Sequence, residues 1–353
     1  MKIRRVYDDI KRNISKGCKA SENPRVPVII LSGGVWAFNQ VGKSLQDWFD
    51  MDPEVSADYV IEVNKKVRSD LIWCAGGCNN LVLRGLGAKT EFGEPGKAAE
   101  VLEPLIQSPS EVDRLSIDKM KQDPGILAML ECTKILKKKI GDETMLAVSQ
   151  WGPLTLASLL LGTRKFMRSM VKDKEGIKYV MEFTQQLVYE YWKMFLDAGV
   201  SHVSQAEPVA SGDMIGLKMF EEMALPGMIK TNEMIGDRPF SKMIHICGNT
   251  MPFLDLLPET GADMISMDWK VDFSVVREKL GGKMAFAGKM DPAAVMLLGD
   301  TKKVRDDCID CIEKAQWEKG GFILMPGCDL PPRVPLENLE TMVDTAYSYT
   351  QEI

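Results

Sequence analysis

Two histidines, His202 and His245, occur in the 353 residues, and the second lies in a run whose neighbours give it chemistry. The run is Lys242-Met243-Ile244-His245-Ile246-Cys247-Gly248-Asn249-Thr250, apolar at its start and strand-like. Side chains alternate across a strand, so His245 and Cys247 project from one face. An imidazole beside a thiol supplies two ligands of a zinc site. A second apolar run, 321–327, ends in Cys328, which supplies a third if the two strands lie close together, giving His-x-Cys-x80-Cys. Two thiolates and a neutral imidazole would cancel the charge of Zn2+ and leave a fourth position open, as expected of a catalytic site. A thiol entering that position would lose its proton to the cation's field and become a nucleophile. An ether oxygen could be polarised there instead, and the ligands alone do not choose between the two.

Elements that would hold these residues follow from the hydropathy pattern. Apolar runs recur at 26–31, 71–73, 145–149, 202–205, 242–246, 263–267, 283–287 and 321–325. Helical periodicity fills 53–68, 153–171, 175–198, 252–260, 301–319 and 335–350 between them. Eight strands alternating with helices predict an α/β fold, a (β/α)8 TIM barrel occupying 1–353 as one domain. Residues 1–25 read as an N-terminal helical extension, and 83–105 as an elaborated loop after the second strand. A doubly wound open sheet is the alternative, but no Gly-rich dinucleotide turn follows the first strand.

Chemistry in such a barrel sits at the C-terminal ends of the strands. This places Ser32-Gly33-Gly34, 74–79, 150–153, 205–208, 247–250, Asp268-Trp269, 289–291 and 327–329 on one polar, Gly-rich rim. Glu207 ends the fourth strand and is a candidate fourth ligand, proton acceptor or capping carboxylate; Asp268, ending the sixth, is a similar candidate catalytic group. His202, inside a strand, is read as structural.

Composition bounds the function classes. A net charge of −6 without a basic stripe argues against nucleic acid or an anionic membrane as main partner. The cluster Lys134 to Lys139 reads as a solvated helix end. The start has no apolar signal core and no run of apolar residues is long enough to span a bilayer, so a cytoplasmic location is expected. Eight cysteines then read as reduced thiols. Cys308 and Cys311 share an apolar helix face with Val304 and Ile312 and are expected to be core. Cys74 and Cys78 bracket a Gly-rich loop and are candidates to line a pocket. The 23 methionines read as flexible core filling, with a Met-lined mouth as the other reading.

His245-Ile246-Cys247-Gly248-Asn249-Thr250, Glu259-Thr260-Gly261-Ala262-Asp263 with Asp268, Gly288-Lys289-Met290-Asp291-Pro292, Pro326-Gly327-Cys328 and Pro335-Leu336-Glu337-Asn338 together resemble the uroporphyrinogen decarboxylase superfamily. The resemblance is to its zinc-dependent, corrinoid-linked branch, typified by methylcobamide:coenzyme M methyltransferases, and extends upstream through Trp151 to Ser158 and Asp197 to Val200. It implies that His245, Cys247 and Cys328 bind zinc, and that a methyl group moves between a corrinoid on a partner protein and a small thiol acceptor. Transfer from a methyl donor to the corrinoid, as in O-demethylation, is the alternative it also implies. True decarboxylases carry an Arg-containing stretch near the N-terminus that grips substrate carboxylates; here 31–40 has no Arg, and a polycarboxylate needs cationic partners. A zinc barrel that only binds is the non-enzymatic reading. No Asp-x-His-x-x-Gly cobalamin setting surrounds either histidine, so the corrinoid is expected on a separate protein.

Overall fold

A computed structural model describes residues 25–30, 34–76, 78–92, 98–239 and 241–349. The expected N-terminal extension, apart from Arg25, and the rim residues Ser32 and Gly33 lie outside the described residues.

Seven parallel strands run in chain order around the sheet: β1 (Leu71–Trp73), β4 (Met145–Trp151), β5 (His202–Ala206), β6 (Ser241–Ile246), β7 (Met264–Met267), β8 (Ala285–Met290) and β9 (Phe322–Pro326). The segment 26–30, expected as the first strand, joins the two ends of this sheet. Ile29 N–H donates to the Leu324 carbonyl at 3.0 Å, Leu324 N–H to Pro27 at 2.9 Å, and Asp70 N–H to Val28 at 3.0 Å. Beside β1 its remaining donors go to side chains: Val28 N–H to Asp70 Oδ2 and Ile30 N–H to Ser69 Oγ. The ladder there is therefore too broken to make a regular strand, yet the ring closes, as a (β/α)8 barrel requires and an open doubly wound sheet does not.

Alternation along the strands turns Leu71, Trp73, Met145, Ala147, Met243, Met264, Ala285, Ala287, Ile323 and Met325 into the barrel, where they form a cluster separate from the larger core under the helices. Four of these are methionines, whose unbranched chains fill an irregular interior.

Local chemistry explains where the helices depart from the periodicity. The pattern 153–171 breaks at Gly162, φ +79°, into Pro153–Leu161 and Thr163–Lys172. The pattern 252–260 does not form one helix but two single 3₁₀ turns, Met251–Phe253 and Leu257–Thr260, each with a proline at its second position. The helix Thr301–Lys314 stops short of 319, where Gln316 turns left-handed. Within 83–105 the described residues contain a short antiparallel pair, β2 (Thr90–Glu91) and β3 (Glu100–Val101). Among the described residues no helix is long and apolar enough to cross a membrane.

Candidate metal centre

Strand β6 points His245 into the top of the barrel, and the chain leaves the strand one residue before Cys247. Strand β9 ends at Pro326, and Gly327 carries the chain to Cys328. A side chain at position 327 would not fit: a Cβ there would lie 2.6 Å from Trp269 N and 3.1 Å from Asp268 C. The missing side chain lets the ends of β7 and β9 close up, which brings Cys328 to Cys247 although their strands are not neighbours.

His245 Nε2 lies 2.9 Å from Cys247 Sγ and 3.9 Å from Cys328 Sγ, and the two sulfurs are 3.2 Å apart. Among the described residues this is the one group of His, Cys, Asp or Glu that could hold a metal ion, with all ligand atoms within 4.8 Å of one another. Zn–S bonds of about 2.3 Å and Zn–N bonds of about 2.0–2.1 Å at tetrahedral angles separate ligand atoms by roughly 3.5–3.8 Å, which the three observed spacings bracket. The donor set and the spacing fit zinc.

His245 is 6% exposed, and its other nitrogen, Nδ1, lies 3.0 Å from Ser266 Oγ on the neighbouring strand. With the proton on Nδ1 donated to Ser266, the Nε2 lone pair faces the sulfurs, the tautomer a metal ligand needs. Burial alone would lower the imidazole's pKa; the Cys328 hydrogen bond and the charges of Cys328, Asp329 and Asp268 outweigh it and raise the group above its ordinary value. The Cys247 contact, then burial, push the Cys328 thiol up. Binding a cation would displace these protons.

The two carboxylate candidates do different things. Asp268 Oδ2 accepts the N–H of Gly248 at 2.9 Å and Oδ1 that of Lys270 at 3.1 Å, so it fastens the turn following Cys247 to the end of β7. Glu207 is fully buried, but its carboxylate faces the start of the helix Pro153–Leu161. It accepts Leu154 N–H at 3.0 Å, Thr155 N–H at 2.9 Å and Thr155 Oγ1 at 2.7 Å, while its own N–H donates to the His245 carbonyl at 2.8 Å. Of the three roles open to it in sequence, this contact set is that of a cap. Burial pushes its pKa up to about 7 against the pull of those bonds.

The remaining cysteines with described positions are buried. Cys308 and Cys311 pack their sulfurs 3.8 and 3.9 Å from Met290 Sδ, as core side chains. Cys74 and Cys78 have no exposed surface, and burial raises both thiols. His202 is buried against Trp73 with Nδ1 on Ser241 Oγ, and burial lowers its pKa to about 3. Sequence reasoning missed Ser266 and also Asp213, whose Oδ2 accepts the N–H of Asn249 at 3.3 Å in the turn after Cys247. The first was findable, since it stands on β7 two residues before Asp268, which follows the strand's last residue; the second sits in an irregular loop that carries no period.

The sequence matches the uroporphyrinogen decarboxylase (URO-D) family over residues 11–349. The chain belongs to that family. Similar proteins include the methylcobamide:CoM methyltransferase MtbA of Methanosarcina acetivorans, 26% identical over 267 residues that make up 76% of each chain. The uroporphyrinogen decarboxylase of Nostoc punctiforme is 24% identical over 337 residues, 88% of this chain and 91% of that one. Among solved structures, a methyltransferase from Methanosarcina mazei superposes with a TM-score of 0.81 at 22% identity, covering 91% of this chain and 93% of that one. The last likeness carries the fold.

Proposed function

We propose that this protein is a zinc-dependent methyltransferase that moves a methyl group between a corrinoid carried by a partner protein and a small thiol. The reading rests on one observation above the others: His245, Cys247 and Cys328 converge at the C-terminal mouth of the barrel, the face at which barrel enzymes do chemistry. Relatives whose names describe transfer from a methylcobamide to CoM support the reaction class. Zinc on the three ligands would supply Lewis acidity, lowering the pKa of a thiol brought to the fourth position.

The chain's own residues do the positioning. Ser266 holds the His245 ring, Asp268 holds the turn after Cys247, and Glu207 locks the helix Pro153–Leu161 to the end of β5. Exposed Met214, Leu217 and Trp269 follow β5 and β7 around the mouth and offer an apolar border to a flat macrocycle. One domain spanning 1–353 and a cytoplasmic location belong to the same proposal.

Metal analysis and turnover with free methylcobalamin test it. The purified protein is expected to hold close to one zinc and to demethylate methylcobalamin when a thiol is added. The double change Cys247→Ala, Cys328→Ala should lose both while the far-ultraviolet circular dichroism is kept. Full zinc retention in that variant would sink the proposal, and inhibition by thiols with demethylation of a methoxylated donor would reverse the direction of transfer.

A further inference from the structure

Strand register places a tryptophan beside the metal centre. Trp151 stands opposite Ala206, and Ala206 opposite His245, so the three share one row across β4, β5 and β6. Neighbouring strands lie about 4.8 Å apart, which sets the Trp151 backbone roughly 10 Å from that of His245, with only the methyl of Ala206 between. The row holds to the rim: Gly152 N–H donates to the Ala206 carbonyl and Glu207 N–H to the His245 carbonyl, each at 2.8 Å. Alternation with Met145 and Ala147, which line the barrel interior, turns Ser149 and Trp151 inward as well. Val148 and Gln150, on the other face, are fully buried, whereas Ser149 and Trp151 are partly exposed. Solvent therefore reaches them through the barrel mouth, down to the row of Ser149 and Ser204; Ser204 Oγ has no hydrogen-bond partner among the described residues. The row beneath, Trp73, Ala147 and His202, is sealed. Trp151 Nε1 donates to Asn80 Oδ1 at 2.7 Å in the loop that leaves β1, and Asn80 Nδ2 donates to the Ala99 carbonyl at 2.7 Å. Because β1 lies on the far side of β4 from β5 and β6, this bond draws the indole away from His245 and keeps the space over Ala206 open.

From this placement we infer that the small molecule the site takes lays its carbon chain against the Trp151 indole, over Ala206, and that Asn80 sets the width of that space. The inference rests on the methyl-transfer reading for the sulfur of that molecule, but the wall that receives its chain does not need turnover. An indole offers a large, rigid apolar face. A methylene that becomes fully buried contributes about fourfold in affinity, and one laid on a single face about twofold. Trp151 touches the small molecule, and Asn80 acts through Trp151 as a positioning residue.

Two measurements test it. The protein as purified is titrated with methanethiol, ethanethiol and propanethiol, and the protection of Cys247 and Cys328 from iodoacetamide is read by peptide mass. Half-protection is expected to need about twofold less thiol for each added carbon. Trp151→Ala should flatten the series, and Trp151→Phe, which keeps an apolar ring, should retain most of it, with zinc content unchanged in both. Asn80→Ala should weaken the series although the indole remains, and Asn80→Asp, which keeps an acceptor for the indole N–H, should restore it; this pair decides the matter if Trp151→Ala does not fold. With methylcobalamin the same slope is expected in KM for the thiol, with kcat held. A flat series in the unmodified protein, no protection at any chain length, or a slope untouched by the Trp151 and Asn80 changes overturns the inference. So does a Trp151→Ala protein that raises KM for methylcobalamin alone, since the indole would then face the corrinoid. If no thiol is methylated, the methyl-transfer reading fails and the protection series still decides the wall.

Discussion

His245 and Ser266 stand opposite each other in the parallel register of β6 and β7, with Nδ1 and Oγ 3.0 Å apart and both side chains buried. The pairing turns a flexible ring into a fixed one. An imidazole free to rotate about its second torsion would offer its lone pair to the sulfurs only part of the time.

Replacing Ser266 by Ala should therefore weaken metal binding without unfolding the barrel. Partners of ligating histidines typically change metal affinity by about 10- to 100-fold. Chelator competition on the Ser266→Ala protein should show a loss in that range, restored largely by Thr, which keeps the hydroxyl. Affinity equal to the unmodified protein would mean that the sulfurs alone set the geometry.

Gly248 is the hinge between Cys247 and the rest of the rim, at φ +76°, a left-handed conformation that costs an L side chain about 1–2 kcal/mol. An added Cβ would also press on Asp213 Oδ2 at 2.4 Å and Ser211 Oγ at 2.5 Å. Gly248→Ala is expected to displace Cys247 and lower zinc affinity more than it lowers the thermal midpoint. Equal zinc affinity with reduced stability would place the strain elsewhere than at the ligand.

How much of this was legible from residue order depends on whether a side chain's role follows a period. The His-x-Cys pair announced itself because strand alternation puts both on one face, and Cys328 because a second apolar run ends just before it. Seven strands emerged within a few residues of their expected places. The first did not form a regular ladder, since Pro27 lacks a donor and Ser69 and Asp70 take over as acceptors beside β1. Nor could the sequence decide where the Glu207 carboxylate turns. That depends on the Gly152 backbone passing so close that a Cβ there would lie 2.2 Å from Glu207 Oε1, a long-range approach with no local signature.

Two buried groups shape the pH dependence of stability with opposite signs. His202 titrates near 6.5 when exposed and is lowered to about 3 by burial, so the unfolded chain binds its proton more readily. Its contribution is present above pH 6.5 and is lost as the pH falls toward 3. Glu207 titrates near 4.5 when exposed and is raised to about 7 by burial, so the folded chain holds its proton more readily. That contribution is complete below pH 4.5 and is lost as the pH rises through 7. Between pH 4.5 and 6.5 the two slopes oppose each other, and difference curves separate them from the other titrating groups. Urea midpoints taken from pH 4 to 8 should show Glu207→Gln gaining on the unmodified protein as the pH rises from 4.5 to 7, even though the variant starts lower because an amide cannot accept both Leu154 and Thr155 N–H bonds. His202→Gln should show the reverse, gaining as the pH falls from 6.5. A Glu207→Gln difference curve that is flat across this window would mean that the carboxyl is ionised inside the fold at its ordinary pKa, held by its three hydrogen bonds against burial.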